Sequence, residues 1–207
     1  MKQKVLSLLS STTEIIYALG CGDRLVGRSH ECDYPDAVSK LPICTFPKFN
    51  VEGTSREVDD EVKSLVQSAL SIYQINEKLL KELKPDIIFT QSQCEVCAVS
   101  LSDVENALRK ITGLSSRVIS VEPNSIDDIF NDILTIAEIL NVRKKGKELI
   151  DLIKAKIDNT EKIVYQKPNP SIAAIEWIDP LMAAGNWVPQ LIKVAGGKNL
   201  FGEAGKH

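Results

Sequence analysis

No apolar run in this 207-residue chain approaches the roughly 20 residues that a bilayer-crossing helix needs, so no membrane span is expected. Positive charge is not in excess either. Lys and Arg total 25 against 28 Asp and Glu, a formal net charge of -3 with both signs mixed, which argues against a nucleic-acid partner. Gly-rich phosphate loops are missing, both the dinucleotide fingerprint and the P-loop. Aromatics make up only 5%, so each Trp is worth following. Five cysteines are an odd number, too few for a disulfide-built scaffold. The opening stretch MKQKVLSLLS has too short an apolar core for a signal peptide and no small-residue cleavage site. The chain as read is therefore expected to be cytoplasmic, or periplasmic or extracellular if a leader has been removed.

What is present is ordinary globular composition, 43% apolar and 26% charged, in a length that suits one large domain or two small lobes. Val5–Leu9 and Leu25–Arg28 read as short buried strands. Between them Ser11 and Glu14 have capping-box spacing ahead of a helix carrying Ile15, Ile16 and Leu19. His30 to Asn50, with Pro35, Pro42 and Pro47, reads as one long irregular connection. Val58–Leu70 and Ile75–Leu83 have helical spacing, and Pro85 stops the second. Asp86–Thr90 and Arg117–Val121 read as strands, with a helix on Val104, Leu108 and Ile111 between them. Ser125 caps a helix through Ile129, Ile133, Ile136 and Leu140. Strands alternating with helices imply βαβ units and a parallel sheet. Arg143 to Gln166 carries an apolar stripe at helical spacing between charged faces. After a Pro-rich break, Ser171–Ile178 reads as a fresh strand and Trp187–Val194 as a helix stopped by Gly196 and Gly197. The expected organisation is α/β: a Rossmann-like parallel-sheet lobe over 1–142, a connecting helix over 143–166, and the start of a second α/β lobe over 167–207.

Ligands bind outside the carboxyl ends of parallel strands, so the loops there are the candidate site. They supply Ser11, His30, Glu31, Tyr34, Gln91 and Gln93 from the first lobe. The second unit adds Trp177, Asp179, Asn186 and Trp187. This amide-rich, hydroxyl-rich and aromatic set suits a large neutral ligand held by hydrogen bonds and flat apolar contacts. No catalytic residue stands out, and a non-enzymatic binding role is expected.

Five stretches carry a family resemblance: SSTTEIIYALG (10–20), VGRSHECDYP (26–35), LKPDII (83–88), EWIDPLMAAGNWVP (176–189) and AGGKNLFG (195–202). Through them the chain resembles the cobalamin-binding, substrate-binding proteins of ABC importers, the class III periplasmic-binding-protein type in which one long helix joins two α/β lobes. QCEVCAVS (93–100) resembles a branch that usually lacks secretion signals. The resemblance implies a corrinoid as ligand, with no cofactor required, in a cleft between lobes. Glu31 and Tyr34 would line it, with Gln91 below and Trp177 and Trp187 opposite. It also implies an ABC permease as partner, docked through an exposed acidic residue for which Glu57 or Glu77 qualifies. In that family a full second lobe needs further strands and helices, so the second unit is expected to expose apolar surface around Ile175, Leu191 and Ile192, open to self-association. Haem or an iron–siderophore is the alternative cargo. Haem would want an axial His30 or Tyr34; a siderophore would want a basic cluster that these loops lack. His30 reads first as a loop hydrogen-bonder, and it or a loop thiolate is an alternative axial ligand for cobalt. The rival from another class is a cysteine-based redox or metal protein. Cys94 and Cys97 have ligand spacing, and with Cys32 and Cys44 they offer thiolates for zinc or an iron–sulfur cluster.

Overall fold

The computed structural model describes residues 2–68, 71–92, 99–111 and 115–206. The chain divides into two compact units, Met1–Glu122 and Pro123–His207. In the first unit β1 (Val5–Ser7) leads to α1 (Ser10–Ala18), β2 (Leu25–Arg28), β3 (Thr45–Pro47) and α2 (Ser55–Gln67). β4 (Tyr73–Ile75), α3 (Glu77–Leu83), β5 (Ile87–Gln91), α4 (Leu101–Lys110) and β6 (Arg117–Val121) complete it. Four strands form one sheet in the order β2-β1-β5-β6, and every pairing in it is parallel. Leu6 lies beside Ile88 and Ser7 beside Phe89; farther along, Ile88 lies beside Val118. All five residues of β5 are buried, as expected of a central parallel strand covered on both faces. Phe89, Leu6, Leu8 and Ile88 anchor the core.

α2, α3 and α4 start where the sequence supplies an acceptor for the orphan N–H groups of the first turn. Asn76 accepts from Leu79 N–H and Ser100 from Asp103 N–H. Thr54 and Glu57 form a reciprocal capping box at α2. The box expected at Ser11 and Glu14 is not formed. α1 begins at Ser10 with Leu9 at the cap, and a leucine side chain has no acceptor to offer; the hydroxyls of Thr12 and Thr13 bond instead to Ser7.

Two more expectations change. Ile75 closes a strand rather than opening a helix: Tyr73 and Ile75 point inward and Gln74 outward, the period-2 signature of a half-buried strand. β4 then pairs antiparallel with β3, which gives order to the segment expected to be wholly irregular.

In the second unit α5 (Ile126–Ile139) starts at Ser125, whose hydroxyl accepts from Asp128 N–H. α6 (Arg143–Val164) follows as a 22-residue helix after a turn in which Asn141 has φ 57. The two helices approach closely at Gly146, where an added Cβ would come within 2.6 Å of Ala137 Cβ. The strand expected over Ser171–Ile178 is split. β7 (Ser171–Ile172) pairs in parallel with Lys198–Asn199, while β8 (Ile175–Trp177) pairs antiparallel with β9 (Met182–Ala183). α7 (Val188–Val194) has Pro189 in its first turn, and β10 (Lys198–Asn199) follows it.

Candidate functional site

Because β2, β1, β5 and β6 are parallel neighbours, the loops leaving their carboxyl ends stand side by side along one edge of the sheet. Those after β1 and β2 are bound to each other. Ser29 N–H donates to Ser7 O (3.0 Å), and Ser10 Oγ donates to Glu31 O (2.9 Å). Beneath them lies a buried hydroxyl cluster. Ser7 Oγ is 2.6 Å from Thr12 Oγ1, and Thr13 Oγ1 is 2.7 Å from Ser7 Oγ and 3.2 Å from Cys32 Sγ. Arg28 fixes the second loop from its other side, Nη1 donating to Cys32 O (2.8 Å) and Nε to Leu41 O (3.3 Å).

His30 is the most constrained side chain of that loop. Its ring lies against Tyr73, centroids 5.4 Å apart and tilted by 44°, and Tyr73 in turn meets Phe49 edge-on at 6.2 Å. His30 Nδ1 is 2.8 Å from Thr45 Oγ1, and the same oxygen accepts from His30 N–H at 3.1 Å. Thr45 Oγ1 donates to Ser29 Oγ (3.0 Å), and Ser29 Oγ accepts from Glu31 N–H (3.3 Å). Burial, then the charge of Arg28, holds the His30 pKa below its ordinary value. Desolvation raises the Glu31 carboxyl. Burial, with the Glu31 charge adding to it, pushes the Tyr73 phenol up to about 12.

The remaining expected residues of this unit are placed as follows. Ser11 is exposed in the first turn of α1, and Tyr34 is exposed ahead of Pro35. Gln91 is buried at the end of β5, bridged to Ser100. Beside it Ser92 Oγ lies 2.9 Å from Ser120 Oγ and also contacts the Glu122 carboxylate. Gln93, Cys94 and Cys97 lie outside the described residues. Glu57 is engaged in the α2 capping box, where the Thr54 N–H and hydroxyl lower its pKa. Glu77 pairs with Lys110 at 2.8 Å on the rim of a groove of about 870 Å³ that also takes in Lys48, Tyr73, Asn76 and Asp103.

The thiolate centre finds no support. Cys32 and Cys44 are buried; burial raises the Cys32 thiol and pushes Cys44 up to about 11, which keeps both protonated and poor metal ligands. Among the described residues, no group of three or more His, Cys, Asp or Glu is arranged to hold a metal ion.

In the second unit Trp177, at the end of β8, is half-buried and its Nε1 donates to Asp179 O (3.0 Å), so these two expected residues share one turn. Asn186 takes φ 51, with its backbone bonded to Lys206 O (2.7 Å) and Gly205 N–H (3.0 Å). Its Oδ1 is buried without a hydrogen-bond partner among the described residues. Trp187 stands at the N-cap of α7, half-buried. Ile175 and Leu191 are exposed, as expected, while Ile192 is half-buried. Sequence reasoning missed Arg28, Thr45 and Tyr73. Only Arg28 lay in a stretch already singled out; Thr45 sat in a segment read as irregular, and Tyr73 lay just ahead of one read as helix.

The periplasmic binding protein family model matches residues 5–207. The chain belongs to that family. Its α/β fold is of the class III type. The vitamin B12-binding protein of Yersinia pestis (strain Pestoides F) is 23% identical over 206 residues, covering 98% of this chain and 61% of that protein. Thus the chain spans about three fifths of the length of the curated relatives it matches. Two solved structures resemble it in fold. The periplasmic vitamin B12 binding protein BtuF of Vibrio cholerae has a TM-score of 0.62 at 19% identity, covering 97% of this chain and 66% of that one. A periplasmic heme binding protein from Pseudomonas aeruginosa has a TM-score of 0.68 at 17% identity, covering 99% and 64%. The family and these neighbours are named as binding proteins, not enzymes.

Proposed function

We propose that this chain binds a corrinoid of the cobalamin class without transforming it, for ABC-type uptake or for handling inside the cell. The observation that carries this reading is the row of loops at the carboxyl ends of β1, β2, β5 and β6. They bring hydroxyls, an imidazole, Glu31, an exposed Tyr34 and the Gln91 amide to one sheet edge, on a rigid hydrogen-bonded base. A corrin has a broad apolar face rimmed by amide side chains, and this mixture of amide partners and flat aromatic surface matches it. Sequence similarity to a vitamin B12-binding protein supports the choice of cargo. The partner in this reading is an importer permease, docked through Glu57 or Glu77. Of the two, Glu77 is the one whose carboxylate is not committed to capping a helix.

A second reading, haem, is favoured by one observation: His30 offers an imidazole on this edge, and axial imidazole is a normal haem ligand. An iron–siderophore is disfavoured because Arg28, the cation of the β2 loop, is spent on backbone carbonyls. Parallel absorbance titrations with cyanocobalamin and with haemin decide the matter. Saturable binding of cyanocobalamin is the expected result. Saturation by haemin alone would replace the corrinoid with haem.

A further inference from the structure

We propose that His30 is an axial nitrogen ligand, through Nε2, to the cobalt of the bound corrinoid. This rests on the corrinoid reading above and adds a coordination bond to it.

The argument starts from one oxygen. Thr45 Oγ1 carries a single proton, and the geometry sends it to Ser29 Oγ at 3.0 Å. Its lone pairs are then left to accept, and they do so twice, from His30 N–H at 3.1 Å and from the ring nitrogen at 2.8 Å. With the Thr45 proton on Ser29, the tautomer that satisfies the 2.8 Å contact carries its proton on Nδ1, which also lies 3.4 Å from Ser29 Oγ, and leaves the lone pair on Nε2. Nε2 makes no hydrogen bond among the described residues and is absent from their buried, unsatisfied atoms, so solvent reaches it. A ring N–H held by a fixed acceptor with the opposite nitrogen left open is the arrangement that metal-ligating histidines share, because it sets the tautomer and the aim of the ring. Tyr73 packed on the ring and the backbone bond to Thr45 remove the remaining freedom.

In the step itself a cobalt–nitrogen bond forms from the Nε2 lone pair and a cobalt–water bond breaks. Nδ1 keeps its proton, and no electron is transferred. The ligand class best served is a corrinoid with an open or exchangeable lower axial position, such as cobinamide.

Electron paramagnetic resonance of the protein with cob(II)inamide tests this, with binding itself read separately by ultrafiltration and the visible bands. One nitrogen-14 ligand is expected to split the high-field cobalt lines into triplets. Protein grown with nitrogen-15 histidine is expected to give doublets. The chain has two histidines, so the doublets should persist in His207→Gln. They should vanish in His30→Ala and return as triplets when unlabelled imidazole is added. If His30→Ala does not fold, the labelled His207→Gln protein decides alone. Thr45→Val should reduce the split fraction while cobinamide stays bound; an undiminished split fraction would overturn the role given to Thr45. Bound cobinamide with unsplit lines, or with splitting indifferent to the histidine label, would overturn axial ligation and leave the corrinoid reading standing. No binding of cobinamide or cyanocobalamin would overturn both.

Discussion

The two units hold their apolar residues in opposite ways. In the first, Phe89 is 0% exposed at the centre of a parallel sheet, with Leu6 and Ile88 buried around it. In the second, Phe201 is 57% exposed and Ile178 75%, and β7 and β8 bury little. The strands of the first unit thus build a core, whereas the second relies on the close pairing of α5 with α6. The first unit can accordingly hold a loop row in fixed geometry, while the second presents apolar side chains on its surface. Exposed apolar side chains serve contacts, or invite aggregation, where they adjoin in a patch.

The largest effect should come from the core of the first unit. Phe89→Ala is expected to cost about 3–5 kcal/mol of stability by urea unfolding. Phe201→Ala, the same chemistry at an exposed site, should stay within about 0.5 kcal/mol. Equal costs would erase the contrast between the units. Next in size is the helix pair. Gly146→Val places a side chain where even a single added Cβ would lie 2.6 Å from Ala137 Cβ. Overpacking there should cost about 1–3 kcal/mol, seen as a lower thermal midpoint. Replacing Ile178 and Leu181 together with serine should lower the fluorescence of a hydrophobic dye severalfold and reduce any self-association, with stability changed by only about 0.5 kcal/mol. Undiminished dye binding would show that the exposed patch lies elsewhere.

The smallest effect is electrostatic. The folded pKa of His30 lies below its ordinary 6.5 because of burial and then Arg28. Below 6.5 the unfolded chain takes up this proton first, so stability falls as pH drops from 6.5 towards the folded value and is complete above 6.5. His30→Gln should flatten that part of the curve, checked by urea midpoints above and below 6.5. An unchanged slope would show that His30 does not carry it.

The same contrast explains what could be read from sequence. The first unit's strands were legible because Val5–Ser7, Ile87–Gln91 and Arg117–Val121 are short apolar runs between helical periods, which a parallel sheet produces. α5 and its Ser125 cap were legible for the equivalent helical reason. β4 was not, because Ile75 fits the apolar spacing of the following helix as well as the end of a strand, and only its pairing with β3 decides. The break within 171–178 was invisible because each half finds its partner elsewhere in the chain. Loop membership could be read from strand order, so His30, Glu31 and Gln91 were placed at the carboxyl edge of the sheet, where the structure has them. The residues that hold His30 in place were not, since Thr45 and Tyr73 reach it from a second sheet that local pattern does not reveal. The cysteine reading finds no support among the described residues for a related reason: spacing cannot report burial, and burial is what keeps Cys32 and Cys44 protonated.

The most direct single measurement is an equilibrium titration of the purified chain with cyanocobalamin, followed by corrin absorbance and by tryptophan fluorescence. Saturable binding, with a shifted corrin band and quenching as the ligand fills its site, is the expected result. Corrin bands that stay unshifted and tryptophan emission that stays unquenched through an excess of ligand would contradict corrinoid binding.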